Sequence, residues 1–401
     1  MSADVFFSPA TVQDIAELRQ LYFEVYGHRY PVPLGSDPAV MRRLMTDGTA
    51  HWLLARTAEG ALAGSAVVQT EPGSRIGKLV GLAVHPGRRG GGLASRLTGA
   101  VCEEAFAGGR LDSVYATVRV VTEGPQHVVV RNGFRPLGLL PNAVEVDGCE
   151  TLALFARYAD GVLERREAVA AVPERLSPLL TAASTGTGTD TGTNTGAPTD
   201  TGSRTTTGIN YDDTIRLPDR PARVPATADA EPIELIAAPA FVRRRFLERF
   251  PGPGDRFFPL HTPNALLVAA DGGFEAYADL DPVAGNCALV AVHPRPAAVS
   301  GALEALMTTI TRAGADYAET LLPLADTAAL EVFLASGFVP SAVYPAMRRI
   351  GDRLHDYVVL SRTSRQIDFR TTAVSPLLQP YLGAYLSAWT ATYLPLPEVS
   401  R

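Results

Sequence analysis

The chain repeats itself, and that repeat limits its fold more than any other feature. Ala83-Val84-His85-Pro86 returns as Ala291-Val292-His293-Pro294. Gly133-Phe134-Arg135-Pro136 with Pro141 returns as Gly337-Phe338-Val339-Pro340 with Pro345. Both recurrences lie about 205 residues downstream and keep their order. Two ordered anchors at one offset mark a duplicated structural unit. A chain of 401 residues has room for two such units.

Between the halves, Thr181–Gly208 is mostly Thr and Gly and has almost no large apolar residue. Such a tract cannot offset its ordering entropy by burial and reads as a mobile linker. The expected division is a first domain over 1–160, a linker over 161–230, a second domain over 231–365 and a helical tail over 366–401. In that tail Leu377, Leu378, Tyr381, Leu382 and Tyr385 fall at helical spacing.

Within the first unit the periodicity alternates. Asp14–Tyr26 carries Ile15, Leu18, Leu21, Tyr22 and Val25 on one helical face. Strands are expected over Trp52–Arg56, Leu62–Gln69, Ile76–Val84, Val114–Val121 and Glu150–Ala156, where apolar and β-branched residues concentrate. Helices are expected over Leu93–Phe106 and Gln126–Arg131, the latter closed by Gly133.

Composition excludes several classes. The net charge is −6, which gives no basic field for nucleic acid. Cys102, Cys149 and Cys287 are scattered and odd in number, against a disulfide framework or a zinc site. No apolar run approaches a membrane span, and the first residues lack a signal-peptide pattern. A cytoplasmic protein without metal or membrane partner is expected, as a monomer or homodimer. Lys78 is the only lysine.

The stretch Val80-Gly81-Leu82-Ala83-Val84-His85-Pro86-Gly87-Arg88-Arg89-Gly90-Gly91-Gly92-Leu93-Ala94 carries the chemistry. A strand runs into a glycine-rich turn that opens a helix. Unpaired N–H groups and partial positive charge at that helix terminus suit a phosphate. Glycines let the backbone approach closely, and Arg88 and Arg89 can add charge-assisted bonds. The turn lacks the Lys of a P-loop, and it follows several strands rather than the first, unlike the dinucleotide fingerprint. An ordinary strand–helix connection is the plain alternative.

Arg89-Gly90-Gly91-Gly92-Leu93-Ala94 resembles the Arg/Gln-x-x-Gly-x-Gly/Ala signature of the GNAT acyltransferase superfamily. The strand Leu82-Ala83-Val84 before His85-Pro86, and the later helix ending at Gly133-Phe134, are similar to that family too. The likeness spans about Asp4–Arg157 and, more weakly, Pro232–Arg362. Tandem domains of this type resemble those of mycothiol synthase and similar bacterial acyltransferases.

The resemblance implies an α/β (α+β) fold of two GNAT-like domains, each a mixed, mostly antiparallel sheet flanked by helices. It implies acetyl-CoA as co-substrate. Arg88, Arg89, Gly90, Gly91, Gly92, Leu93 and Ala94 would cradle its pyrophosphate, and backbone groups of Leu82 and Val84 would bond the pantetheine arm. The acid usual in the family, a Tyr four residues before Gly-Phe, is replaced by Val129 and, in the second unit, by Phe333. Tyr115 and Glu123 are the catalytic candidates that remain. Tyr26, His28 and Tyr30 are candidates for the acceptor side. The second unit reads Arg295-Pro296-Ala297-Ala298-Val299-Ser300-Gly301 where the first has its turn, and is expected to bind coenzyme A poorly.

The expected function is acyl transfer from coenzyme A to a small-molecule amine in a ternary complex. Two other readings stand beside it. One is an inactive acyl-CoA sensor, which Val129 favours. The other is a transferase using a carrier-protein thioester or a protein acceptor, with Arg243–Arg245 as a docking patch.

Overall fold

The structure is a computed structural model that describes residues 5–27, 33–146, 148–185, 209–219, 232–252 and 258–394. The first unit runs β1 (Val5–Pro9), α1 (Ile15–Tyr26), α2 (Pro38–Thr46), β2 (Ala50–Thr57), β3 (Leu62–Thr70) and β4 (Ile76–Val84). It continues with α3 (Leu93–Ala107), β5 (Ser113–Arg119), α4 (Gly124–Arg131), β6 (Arg135–Glu145) and β7 (Cys149–Tyr158). Then come β8 (Ala171–Pro173), α5 (Ser177–Thr185) and β9 (Ile215–Leu217). The second unit repeats the order of the first: β10 (Ile233–Ile236), α6 (Pro239–Arg249), β11 (Ala265–Ala269), β12 (Glu275–Asp281), β13 (Asn286–His293) and α7 (Leu303–Arg312). It closes with β14 (Tyr317–Pro323), α8 (Thr327–Ala335), β15 (Val339–Ile350) and β16 (Arg353–Thr363), and the chain ends its described part in α9 (Gln379–Tyr393). Among the described residues no second-unit helix stands where α2 stands in the first.

All the long strands form one sheet of 14, in the order β1-β2-β3-β4-β5-β7-β6-β15-β16-β14-β13-β12-β11-β10. Each half has the same internal order, so the halves meet as mirrored lists across β6 and β15. Every neighbouring pair is antiparallel except β4–β5 and β13–β14. The two tandem, mostly antiparallel α/β units expected from the sequence are therefore present, fused edge to edge.

The join depends on a glycine. Gly138 of β6 faces Ala342 of β15. A Cβ built on Gly138 would lie 2.1 Å from the Ser341 carbonyl oxygen and 2.4 Å from the Ala342 Cα. Backbone atoms cannot move aside as a flexible side chain can, so only glycine allows this approach.

The helices divide between two faces according to which side chains they bury. α3, α4, α5, α7, α8 and α9 contribute to one large cluster that includes Leu97, Val101, Val129, Leu180, Leu306 and Phe333. On the other face α1 and α2 cover the first half through Leu18, Tyr22, Met41 and Leu44. There α6 covers the second half through Val242 and Phe246. The helices α5 and α9 lie against each other and span both β6 and β15. The Tyr381 hydroxyl donates to Pro136 O at 2.8 Å and the Tyr393 hydroxyl to Gly337 O at 2.6 Å, so the tail ties both units rather than one.

The linker boundaries need correction. Residues 161–185 and 209–219 are built into the fold. Leu176, Leu179 and Leu180 are buried, and β8 pairs with β9. Asp356 of β16, its side chain fully enclosed, accepts from the Tyr211 hydroxyl at 2.8 Å and from Ala346 N at 2.8 Å, and ion-pairs with Arg166 at 3.0 Å. The Thr/Gly tract expected as linker does not begin at Thr181, because Thr181–Thr185 completes α5 with Ala182 and Ala183 buried. Residues 186–208 lie outside the described residues. Deleting 186–207 is expected to change the melting temperature by less than about 2 °C, since a shorter closing loop costs little and the buried flanks stay in place. Thermal denaturation of the deletion variant checks this; a large drop would show that the tract makes stabilising contacts.

Candidate functional site

The site begins where two parallel strands part. β4 and β5 register over only three rows, Ile76↔Ser113, Gly77↔Val114 and Lys78↔Tyr115. Beyond Lys78 the outer edge of β4 leaves β5, while β5 stays paired with β7 along its whole length. A wedge opens between residues 79–84 and 116–119.

A bulge in β4 faces that wedge. The register with β3 shifts between Ser65↔Ala83 and Val67↔Val80, placing one extra residue on β4. Gly81 takes up the distortion at φ +59°. Glycine inside an apolar strand is the sequence signal for such a bulge. A buried network holds it: the Tyr22 hydroxyl donates to Gly81 O at 2.8 Å and lies 3.1 Å from Ser65 Oγ, which accepts from Trp52 Nε1 at 2.8 Å.

At the end of β4 the turn opens onto α3. His85 Nδ1 accepts from Gly87 N at 3.1 Å, and His85 Nε2 lies 3.2 Å from Glu24 Oε2. Gly90 and Gly92 sit at φ +88° and +72°, and no side chain caps α3. Arg88, Arg89 and the three glycines are exposed, and a Cβ on any of those glycines would meet nothing within 4 Å. Open space before an uncapped helix N-terminus flanked by two guanidiniums fits a pyrophosphate. Because the positive φ at Gly92 strains any side chain, a branched residue there costs stability as well as ligand affinity. Gly91 lacks that constraint. Leu93 is buried and anchors the turn, with Ala94 beside it half-buried.

At the corresponding position of the second unit a 3-10 turn, Pro296–Val299, buries Val299 fully, and the paired arginines and two of the three glycines of the first unit are absent.

Tyr26, at the end of α1, reaches the wedge. Its hydroxyl donates to the Leu82 carbonyl, and its ring stacks on Tyr22 at 6.3 Å between centroids. The Leu82 carbonyl is thus engaged here, and that of Val84 takes the long 3.5 Å bond from Arg89 Nε. Burial pushes the Tyr26 phenol up to about 12, against the opposing pull of Arg89 and Arg119. His28 and Tyr30 lie outside the described residues.

Tyr115 and Glu123 are not brought together. Tyr115 sits in the last paired row, its hydroxyl 3.4 Å from Pro259 O of the second unit and its ring edge-on to Tyr344. Burial raises its phenol well above the usual value. Glu123 is exposed at the start of α4, 3.7 Å from His127. Val129 is buried in the core, as an apolar residue on α4 should be. In the Arg243–Arg245 patch, Arg245 is already paired with Glu275 at 2.7 Å. Among the described residues no cluster could hold a metal ion, and no helix is long and apolar enough to cross a membrane.

Comparison with known proteins bears on the first unit. No curated protein matches the chain. Among solved structures, the acetyltransferase of GNAT family from Streptococcus pneumoniae is 19% identical, with a TM-score of 0.35, over 39% of this chain and 100% of that one. Spermidine N-acetyltransferase from Vibrio cholerae, solved with CoA and spermine, is 14% identical, with a TM-score of 0.34, over 38% and 95%. The model of the acetyltransferase (GNAT) family matches residues 12–134, which hold α1, the bulged β4, the glycine-rich turn, α3 and the wedge. That segment is a domain of the acetyltransferase (GNAT) family.

Proposed function

We propose that the protein is an acyl-CoA-dependent N-acyltransferase, with acetyl as the acyl group and a small-molecule amine as acceptor. The carrying observation is the wedge between β4 and β5 running straight into the open, uncapped turn Arg88–Ala94. The turn takes the pyrophosphate, and the wedge takes the pantetheine arm along Leu82 and Val84. A neutral amine attacks the thioester carbonyl; the N–C bond forms, the C–S bond breaks, and the sulfur leaves as thiolate. Strand N–H groups beside the bulge would receive the oxyanion.

Binding to one unit is the test. Calorimetry is expected to give one coenzyme A site per chain, and Arg88→Ala and Arg89→Ala to weaken it about tenfold each. Gly91→Val is expected to weaken it without lowering the melting temperature. Two equivalent sites per chain would contradict the assignment. Turnover of acetyl-CoA with an amine panel separates an enzyme from a sensor, which would bind coenzyme A and release none.

Tyr26, whose hydroxyl bonds the Leu82 carbonyl at the wedge, is the residue proposed to assist the leaving sulfur, ahead of Tyr115 and Glu123. A phenol held near 12 stays protonated at neutral pH. It is too weak an acid to pass its proton fully to a thiolate, whose thiol has a pKa of about 8.5. It can donate a hydrogen bond to the sulfur by giving up the one it makes to the Leu82 carbonyl. Tyr26→Phe is therefore expected to lower kcat about tenfold at unchanged coenzyme A affinity. A loss beyond about 10⁴ would make it an indispensable acid.

A further inference from the structure

The face of the sheet between α1 and α2 on one side and α6 on the other is open at its centre. Two adjoining spaces occupy it, sharing Phe258, His261 and Met347 in their walls. The outer one is a cleft of about 610 Å³ with Arg75, Arg243, Arg348 and Arg349 around it. The inner one is a chamber of about 180 Å³ to which both units contribute, the first with Lys78 and Tyr115 and the second with Tyr317 and Glu319.

The charges around these spaces are unequally matched. Glu319 accepts from the Tyr317 hydroxyl at 2.7 Å, and Glu71 accepts from Leu260 N at 2.8 Å. Asp279 pairs with His261 at 2.9 Å. Lys78 is different. Its ammonium lies 5.5 Å from the centroid of the Tyr115 ring, and no hydrogen bond or ion pair reaches it from the described residues. Burial pulls its pKa below the usual lysine value, against the weaker opposing effect of Glu319 and Asp279. An ammonium without a bonded acceptor, drawn to Glu319 and Asp279 only at longer range and standing at the end of an arginine-lined approach, has hydrogen bonds left to give to a bound carboxylate.

We propose that this chamber is the acceptor site, and that the acceptor is a small amino carboxylate whose carboxylate is bound by Lys78. The proposal rests on the acyltransferase reading and names its substrate class. Its geometry comes from the sheet: Lys78 belongs to the last paired row of β4 and β5, and the strands part directly beyond it. An amine on the same small molecule is thereby presented to the wedge. The volume suits an amino-acid-sized ligand rather than a drug-sized one. The second unit, which lacks the phosphate turn, acquires a role as the far wall of the acceptor chamber.

The experiment uses the full chain, with free amino acids and their decarboxylated amines as probes at millimolar concentration. Calorimetry measures binding, and coenzyme A release measures turnover. At least one amino acid is expected to bind, and its decarboxylated counterpart to bind on the order of 100-fold more weakly. Lys78→Met is expected to erase that preference while leaving the coenzyme A Kd unchanged, and Lys78→Arg to retain part of it. If Lys78→Met fails to fold, the wild-type preference and Lys78→Arg still decide. A wild type that binds no amino acid, or prefers the decarboxylated amine, overturns the proposal while any amine turnover leaves the acyltransferase reading standing. Lys78-dependent amino acid binding without turnover of any amine keeps the site and removes that reading.

Discussion

Gly81→Ala is expected to lower the stability of the chain by about 3 kcal/mol, adding overpacking to a positive-φ penalty. A Cβ at this position would lie 2.6 Å from the Tyr22 hydroxyl and 2.9 Å from Leu34 Cδ1, both buried. The backbone is at φ +59°, which a non-glycine residue adopts only with strain. Relief requires either flattening the bulge or displacing Tyr22 from Gly81 O, and both disturb the wall of the wedge. Urea denaturation measures the first effect, and coenzyme A affinity the second, where about a tenfold loss is expected. Tyr22→Phe removes the atom nearest the new methyl group. The double variant is thus expected to be less destabilised than the sum of the two single variants. Strict additivity would mean that the hydroxyl contact does not limit the site.

Asp112→Ala is expected to cost about 2–3 kcal/mol at neutral pH, somewhat below the range for breaking a buried pair. Its carboxylate is 3% exposed and holds Arg75 from its own unit, at 2.9 Å, and Arg349 from the other. Both arginines can turn partly to water, which is why the lower range applies. Burial alone would raise the Asp112 pKa; the bonds from Arg349 and Arg75 outweigh it, and the net shift is downward. A carboxylate with a lowered folded-state pKa contributes stability above its unfolded value, about 3.9. That contribution is lost as pH falls through the folded-state value. The gap between wild type and Asp112→Ala is therefore widest at neutral pH and narrows below about pH 4. Denaturation midpoints across that range check the sign; a gap that widens in acid would refute it. Arg349→Ala should couple with Asp112→Ala, since the pair crosses the join between units.

The sequence by itself determined most elements of the first unit and their order, though not β1, α2 or β6. Ile15, Leu18, Leu21 and Tyr22 at helical spacing placed α1 within a residue, and β4 spans Ile76–Val84 as its apolar run requires. The recurrent His-Pro and Gly-Phe anchors carried the duplicated order into the second unit, and the glycine-rich turn marked the start of α3. These features are legible because helix and strand periods, and the steric freedom of glycine, act over a few residues. Composition misled at the linker. The Thr/Gly tract hid the apolar Leu176, Leu179 and Leu180 just before it, whose spacing is that of a buried helix.

What the tertiary structure alone decided are contacts between residues far apart in the chain. The edge-to-edge join at Gly138 and Ala342 depends on two strands about two hundred residues apart meeting backbone to backbone, which no local pattern encodes. Tyr26 finds the Leu82 carbonyl across 56 positions, and the Tyr115 hydroxyl lies against Pro259 of the other unit. Lys78, unremarkable in sequence except as the only lysine, comes to line a chamber that residues of the second unit help to enclose. Periodicity states which face of an element is buried; which surface comes to cover that face is settled only when all the strands have found their neighbours.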